Sequence, residues 1–440
     1  MTVRSKLASA YAAVKADWHC PIFPVFLSAA IILPTRQGRV HRTAIRGYFS
    51  AGGRPVVRML LLLLLSLVWF VKVPRMIWDY TKRIGPYIQK TTGTSIFRQV
   101  LDQTYFALLH SVSPREYYAY GMFTKGAKDL FSYYVYDGQA LQLLSALNPQ
   151  ADISGLVDKR KFSRLLSDQG LPSVCTVAWV SNGQFRSEND VDRPLPPADL
   201  FVKPSRGSGG RGALLCQYAG VGEYLIVDGD LPVRMTQESR PTKVGLRLNI
   251  SELMDMLVLR GNANELMVQR RLLNHPDIDI VPGGALSSLR ILTGFLKNEI
   301  VYICAVFTIG DSGSIVSQSG LSCGVDEATG EIGCAVAIGE FPLTWTHHPV
   351  SGAQIKGRRL PMWRAAKKAV LSAHRSFAEH PFVAWDVALS ADGVFILEGN
   401  HGYGTENLQK PFGRPLLKTR YLDVIMYWLN RRGFRGGAGL

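Results

Sequence analysis

Asp386, Glu398 and Asn400 stand together in the run WDVALSADGVFILEGN, and each carries an oxygen donor. The run reads as a β-hairpin, with one strand over residues 382–389, a turn at 391–393 and a returning strand over 394–397. Residues 398 and 400 are two apart, so in extended chain their side chains leave the same face. Three oxygen ligands converging at one hairpin end suit a hard cation such as Mg²⁺, completed by substrate phosphates. Taken alone, the spacing also fits carboxylates that are merely solvated or capping a turn.

A second motif changes the weight of the first. LFVKPSRGSGGRG places Lys203 at the end of an apolar strand, followed by Gly207, Gly209, Gly210 and Gly212. Glycines let backbone N–H groups approach phosphate oxygens, and a lysine adds a point charge. The loop is not a Walker A sequence, because the GxxxxGK[ST] order is absent and the lysine precedes the glycines. In isolation it could be a flexible basic surface loop. Strand, lysine and glycine loop, followed downstream by Asp and Glu-x-Asn, is an order that independent surface features rarely share.

With these motifs the chain resembles an ATP-grasp enzyme, and within that superfamily the sugar-transfer-associated ATP-grasp family. The likeness runs through Ser113-Pro-Arg-Glu-Tyr117-Tyr118, Asp158-Lys159, Phe201-Val-Lys203-Pro204, Leu266-Met-Val-Gln269, His275-Pro276, Ser288-Leu-Arg290-Ile, Trp385-Asp386 and Glu398-Gly-Asn400. It covers roughly residues 110–430, in order. It implies an α+β fold of two subdomains that hold ATP between their sheets, and ATP with Mg²⁺ as cofactors.

Carried over by position, the resemblance makes Lys159 and Lys203 the phosphate lysines. The loop 205–212, with Ser205, Gly207, Gly209 and Gly210, becomes a flap over the phosphates that excludes water. Met267, Gln269, Arg270, Arg271 and Leu272 belong to the strand and hinge that meet the adenine, Gln269 standing where related ligases often have an acid. Asp386, Glu398 and Asn400 would hold one or two Mg²⁺ ions. Arg290 begins a buried strand, and a buried arginine needs an anionic partner, here a phosphate or the substrate carboxylate. Residues 402–409 are the segment expected to touch the acceptor, through Glu406 and Gln409.

The implied reaction is ligation of a carboxylate to an amine through an acyl-phosphate, with a membrane-associated role in polysaccharide or glycoconjugate assembly. Its substrates would be a small-molecule or glycan-linked carboxylate and an amine. A kinase on the same scaffold and a non-catalytic ATP-binding scaffold are the competing readings. Both lysines and all three metal-ligand positions are present, which argues against the scaffold. No Ser-His-Asp or Cys-His arrangement stands out, and His347-His348 reads as a loop.

The elements that must position these residues alternate between helix and strand. A helix over 158–167 precedes strands at 174–180, 200–203, 213–218, 223–227, 266–270, 289–296 and 301–308, interrupted by a helix near 251–260. An amphipathic helix over 360–379 and a last helix over 418–430 complete the pattern, which fits an α+β arrangement better than a doubly wound sheet. The dense aromatics between Tyr117 and Tyr136 read as packing.

Charge is concentrated at one end. Residues 1–100 hold fifteen lysines and arginines against Asp17 and Asp79, a formal +13 of the chain's +16. The same region carries the uncharged stretch 20–34 and the run MLLLLLLSLVWFV at 59–71. Each is shorter than the ~18–20 residues of a spanning helix, although residues 55–78 become long enough if Arg58 and Lys72 snorkel. Basic flanks with Trp69, Trp78 and Tyr80 favour the cytoplasmic face of a membrane, lying on it or crossing once, ahead of a helix buried on the catalytic domain. A signal peptide is not indicated, since no short basic start leads into an apolar run. Nor is nucleic acid, given the leucine run and the lack of a reader motif. Six scattered cysteines without a CxxC pair read as free thiols. The expected organisation is a helical membrane-associating region at 1–105, an aromatic-rich helical lead-in at 106–150 and the ATP-grasp domain at 151–430.

Overall fold

The computed structural model describes residues 35–431 except 51–54, 111, 149–150, 189–193, 208–211, 230–244, 263–264, 311–319 and 338–342. Among these residues, two seven-stranded sheets organise the fold. The first contains β1 (Thr176–Ser181), β2 (Gln184–Ser187), β3 (Leu200–Pro204), β4 (Leu214–Gly220), β5 (Glu223–Gly229), β6 (Leu246–Asn249) and β7 (Leu266–Arg270), in the order β2-β1-β7-β3-β4-β5-β6. The second contains β8 (Ser288–Leu296), β9 (Glu299–Thr308), β10 (Ser322–Val325), β11 (Ile332–Val336), β12 (Thr344–Trp345), β13 (Phe382–Ser390) and β14 (Gly393–Asn400). Its order is β12-β11-β10-β9-β8-β13-β14. Neighbouring strands are antiparallel throughout both sheets.

The main helices are α1 (Arg36–Ser50), α2 (Pro55–Thr92), α3 (Ile96–His110), α4 (Pro114–Ala119), α5 (Asp137–Leu147), α6 (Lys159–Asp168), α7 (Ile250–Gly261), α8 (Trp363–His374), α9 (Glu406–Phe412) and α10 (Tyr421–Arg431). Local sequence sets several of their ends. Ser113 and Glu116 form a capping box around Pro114 at the start of α4, and Asn249 and Glu252 do the same for α7.

Each sheet has a face assigned by side-chain alternation. In the first, Leu200, Val202 and Val268 pack on Leu253, Met256 and Leu257 of α7. Phe201, Lys203, Met267 and Gln269 therefore emerge on the other face. The second sheet is covered on both sides. Ile291, Trp385 and Val387 pack on Phe162 of α6 and on Trp363 and Val370 of α8, while Leu292, Phe382 and Ala384 pack on Val40 of α1, Leu143 of α5 and Ile425 of α10. Hence β13, FVAWDVALS, is buried at every position, and Asp386 is the charge it carries inside.

Several expected bounds shift. The helix expected over 360–379 begins at Trp363, because Met362 adopts a left-handed φ of 52°, and gives way to a tight 3₁₀ turn at Arg375–Phe377. Residues 401–415 are not merely a connecting segment, since α9 forms within them. The expected strands do not include β11, nor β2, β6, β10 and β12, which are too short for hydrophobic period to reveal. The boundary expected at residue 105 falls inside α3. The aromatics are indeed packing, with Tyr117, Tyr118, Tyr134 and Tyr136 in one buried cluster with Ile84, Ile88 and Phe106. The five described cysteines are free. No helix among the described residues is long and apolar enough to cross a membrane.

Candidate active site

Three adjacent strands build one ladder of charge. Asp386 lies opposite Arg290 on β8 and opposite Glu398 on β14, and directly paired residues share a face of the sheet. A bulge makes this possible. Val387 pairs with Ile396, so unbroken register would set Leu397 against Asp386; the extra residue brings Glu398 there instead. Arg290 grips Asp386 with two parallel bonds, Nε to Oδ1 at 2.7 Å and Nη2 to Oδ2 at 2.8 Å. Asn400 Nδ2 donates to Asp386 Oδ2 at 3.3 Å and to Glu398 Oε1 at 3.4 Å, so the amide ties the two carboxylates together. The three residues that the hairpin reading groups as metal ligands thus do converge.

Lysines approach from two other elements. Asp158 caps α6 by accepting from the backbone N–H groups of Arg160 and Lys161, which holds Lys159 at the first helical position. The Lys159 ammonium donates to the Gly207 carbonyl at 2.8 Å and stands 3.9 Å from Glu398 Oε2. Lys203 leaves β3 opposite Met267, on the face turned away from the α7 core. Arg160 stacks over the Trp179 ring at 5.1 Å, joining α6 to the first sheet. The sequence reading assigns Asp158 no part, although an Asp just before a basic helix is a recognisable cap signal.

Electrostatics follow from this crowding. Burial pushes Glu398 above the ordinary carboxylate range, and the charge of Asp386 adds to the rise against the pull of Lys159 and Lys203. Burial acts the same way on Asp386, but Arg290 and the surrounding hydrogen bonds outweigh it and hold that carboxyl low. Desolvation pushes Lys203 down to about 8, with Lys159 reinforcing and Glu398 opposing the shift. Two carboxylates that resist ionising side by side are a site that gains from a cation.

The donor set fits Mg²⁺ in kind: two carboxylates and an amide, all oxygen ligands, short of a full shell that water and phosphate oxygens complete. No group of three or more His, Cys, Asp or Glu gathers anywhere among the described residues, and here the third ligand is the Asn400 amide.

The remaining candidates divide. Met267 and Gln269 are buried on β7, and Gln269 donates to the Val174 carbonyl at 3.3 Å. Arg270 is exposed, Leu272 is half-buried, and Arg271 pairs with Asp199 at 3.2 Å. Ser205 is buried and tied to Glu265, its N–H donating to the backbone carbonyl at 2.8 Å and its hydroxyl to Oε2 at 3.3 Å. It serves as the anchor of the glycine loop. Gly207 has a φ of +111°, which favours glycine, whereas Gly209 and Gly210 lie outside the described residues.

Glu406 and Gln409 are not placed to touch an acceptor. Glu406 is buried in a bidentate pair with Arg115, at 2.5 and 3.0 Å. Gln409 spends its side chain on Val135 N–H and C=O, Leu416 N–H and the Tyr120 hydroxyl. Both lock α9 to the helical lead-in.

Both sheets lie within a stretch that matches a known protein family. Residues 139–421, well over half of the chain, match the family described as sugar-transfer associated ATP-grasp. Among solved structures, D-alanyl-alanine synthetase A from Vibrio cholerae is similar at 9% identity, over 68% of this chain and 74% of that one, with a TM-score of 0.37. D-alanine–D-alanine ligase from Bacillus anthracis, complexed with ATP, is similar at 13% identity over 67% and 70%, with a TM-score of 0.35. A D-cycloserine synthetase shares 13% identity over 73% and 82%, with a TM-score of 0.33. No curated protein sequence matches the chain.

Proposed function

The chain belongs to the sugar-transfer associated ATP-grasp family, and on that premise we propose that it is an ATP-dependent carboxylate–amine ligase. It acts in cell-surface polysaccharide or glycoconjugate assembly, at the cytoplasmic face of a membrane. What carries the reading is the ladder Arg290–Asp386–Glu398, tied by Asn400 and faced by Lys159 and Lys203.

In this reading Lys159 and Lys203 bind the phosphates of ATP, and the 205–212 loop closes over them. The Met267–Leu272 stretch, numbered 267–272, receives the adenine. Asp386, Glu398 and Asn400 would hold Mg²⁺, whose chemistry there would be to offset phosphate charge. Arg290 fixes Asp386 in place and keeps it ionised. A carboxylate oxygen of the substrate attacks the γ-phosphorus as the bond to ADP breaks, forming an acyl-phosphate. The amine then attacks the acyl carbon and phosphate leaves. Neither step needs a protein nucleophile. The protein contributes position and charge, and lysines, an arginine and acids are the residues suited to that.

The test is ADP and phosphate release with Mg-ATP, over sugar acids and amino acids crossed with amines, with Glu398→Ala as the blank. Release that requires both an acid and an amine, and vanishes in the variant, supports the ligase. ADP formed with a hydroxyl acceptor alone, its phosphate retained on product, replaces this reading with a kinase. ATP binding without turnover across the matrix leaves a scaffold.

A further inference from the structure

The third helix is built inside out. Along α3, the polar Gln99, Asp102, Gln103 and His110 are buried beside Phe106 and Ala107, while Phe97, Leu101, Tyr105 and Leu109 are exposed. The exposed four recur every fourth residue, so they form one stripe down the helix. Phe97 is 73% exposed and Tyr105 50%. Most of the buried polar groups are held by protein, although Gln103 Oε1 finds no hydrogen-bond partner. Gln99 donates to the Gly85 and Thr94 carbonyls, Gln103 donates to the Thr81 and Tyr118 hydroxyls, and Asp102 pairs with Arg98 and Lys128. The apolar stripe is therefore not a core face that has failed to pack. The helix has a core face already, made of these polar side chains together with Phe106 and Ala107.

The neighbouring helix extends the same surface. A Cβ on Gly85 would meet Ile96 and Gln99, so that flank of α2 turns towards α3. Trp78 and Val71 lie seven and fourteen residues earlier on the same flank. They are 69% and 80% exposed, and Lys82 and Arg75, one turn on from each, are exposed beside them. Arg98 stands, exposed, beside the α3 stripe. Aromatic and aliphatic groups in the middle with cations at the margin match a bilayer surface, where acyl chains meet anionic headgroups. Residues 1–100 carry fifteen basic side chains against two acidic ones, which adds charge complementarity at longer range.

We propose that the α2–α3 hairpin docks in the plane of an anionic lipid membrane through Phe97, Leu101, Tyr105 and Leu109 together with Val71 and Trp78. The inference deepens the membrane localisation proposed above and rests on it, but is independent of the ligase reaction. Docking here fixes the catalytic domain to the membrane by a surface whose loss leaves the ATP site untouched.

Flotation of the full chain with phosphatidylcholine vesicles, with and without phosphatidylglycerol, tests it. The wild type is expected to float with anionic vesicles and to release as salt rises. Leu101→Glu/Tyr105→Glu is expected to lower partitioning by more than about tenfold, since a charge replaces apolar surface at the depth of the acyl boundary. Both side chains are about half exposed, and an unchanged thermal midpoint and ATP affinity would show that the fold is intact. If the wild type floats and the double variant floats equally, another segment binds lipid and the proposed face is wrong. If the wild type does not float at all, the membrane localisation itself fails. If instead it sediments as an oligomer that the double variant dissolves, the face joins copies of the chain and the lipid proposal is overturned.

Discussion

Asp386→Asn strikes the ladder at its centre. The native carboxylate takes two guanidinium bonds of 2.7 and 2.8 Å and an amide bond of 3.3 Å. Asparagine keeps one acceptor oxygen and turns an NH₂ group towards the other guanidinium N–H, so one bond becomes a donor facing a donor. Arg290 cannot shed its proton, and Asp386 is the main cause of its raised pKa. The variant thus leaves a buried cation without its partner. Breaking such a pair from one side costs about 3–5 kcal/mol. Glu398 faces the same group across the strand and returns about 1 kcal/mol. The expected loss is on the order of 2–4 kcal/mol, or a thermal midpoint lower by roughly 5–10 °C.

Glu398→Gln should behave in the opposite way. It removes one of two facing carboxylates, so stability in metal-free buffer should hold or rise by up to ~1 kcal/mol while turnover is lost. Loss of its attraction to Lys159, a long contact of 3.9 Å, offsets part of that gain. Urea denaturation and calorimetry on both variants, in metal-free buffer, measure the difference. If Asp386→Asn matches the wild type, or Glu398→Gln falls as far as Asp386→Asn, the asymmetry argued from the hydrogen bonds is wrong.

Three further outcomes follow from buried geometry. Gly399→Ala should cost about 1–3 kcal/mol by overpacking, because its Cβ would lie 2.9 Å from Leu156 Cδ2, 3.1 Å from Trp385 Cζ3 and 3.3 Å from Phe162 Cε2. It should also weaken Mg-ATP turnover by displacing Glu398 and Asn400, and denaturation beside steady-state kinetics checks both. Gln409→Leu should destabilise by about 3 kcal/mol, as two buried backbone N–H groups lose their acceptor, yet leave the acceptor KM unchanged in whatever protein remains folded. A raised KM at normal stability would restore Gln409 to the substrate site. Burial pushes His374 down to about 4 from 6.5. The unfolded chain then takes up a proton that the fold refuses, so this contribution is complete above pH 6.5 and declines by ~1.4 kcal/mol per unit towards pH 4. His374→Gln should flatten stability against pH over that window, and parallel curves would show that the imidazole is not the source.

Much of the candidate site is legible because its signals are local. A hairpin turn, a strand ending in lysine, a capping aspartate and the two-residue spacing of Glu398 and Asn400 are written within a few positions of each other. The family match over residues 139–421 spans all of these motifs. Glu406 and Gln409 misled for the opposite reason. Acid and amide in a Gly/Pro-rich segment look available, and only Arg115, 291 residues away, and Val135, 274 away, show that they are taken.

By itself, then, the sequence determined the alternation of strands and helices, the crowding of basic charge at one end and the residue types able to bind phosphate and a hard cation. Those depend on periodicity, turn chemistry and composition, which act over a few residues. Tertiary structure alone decided that Arg290 grips Asp386 across 96 residues of chain, that a bulge sets Glu398 rather than Leu397 opposite it, and that α3 turns its polar side inward. Strand register and the choice of buried face depend on which distant segments pack together, and no local pattern carries that information.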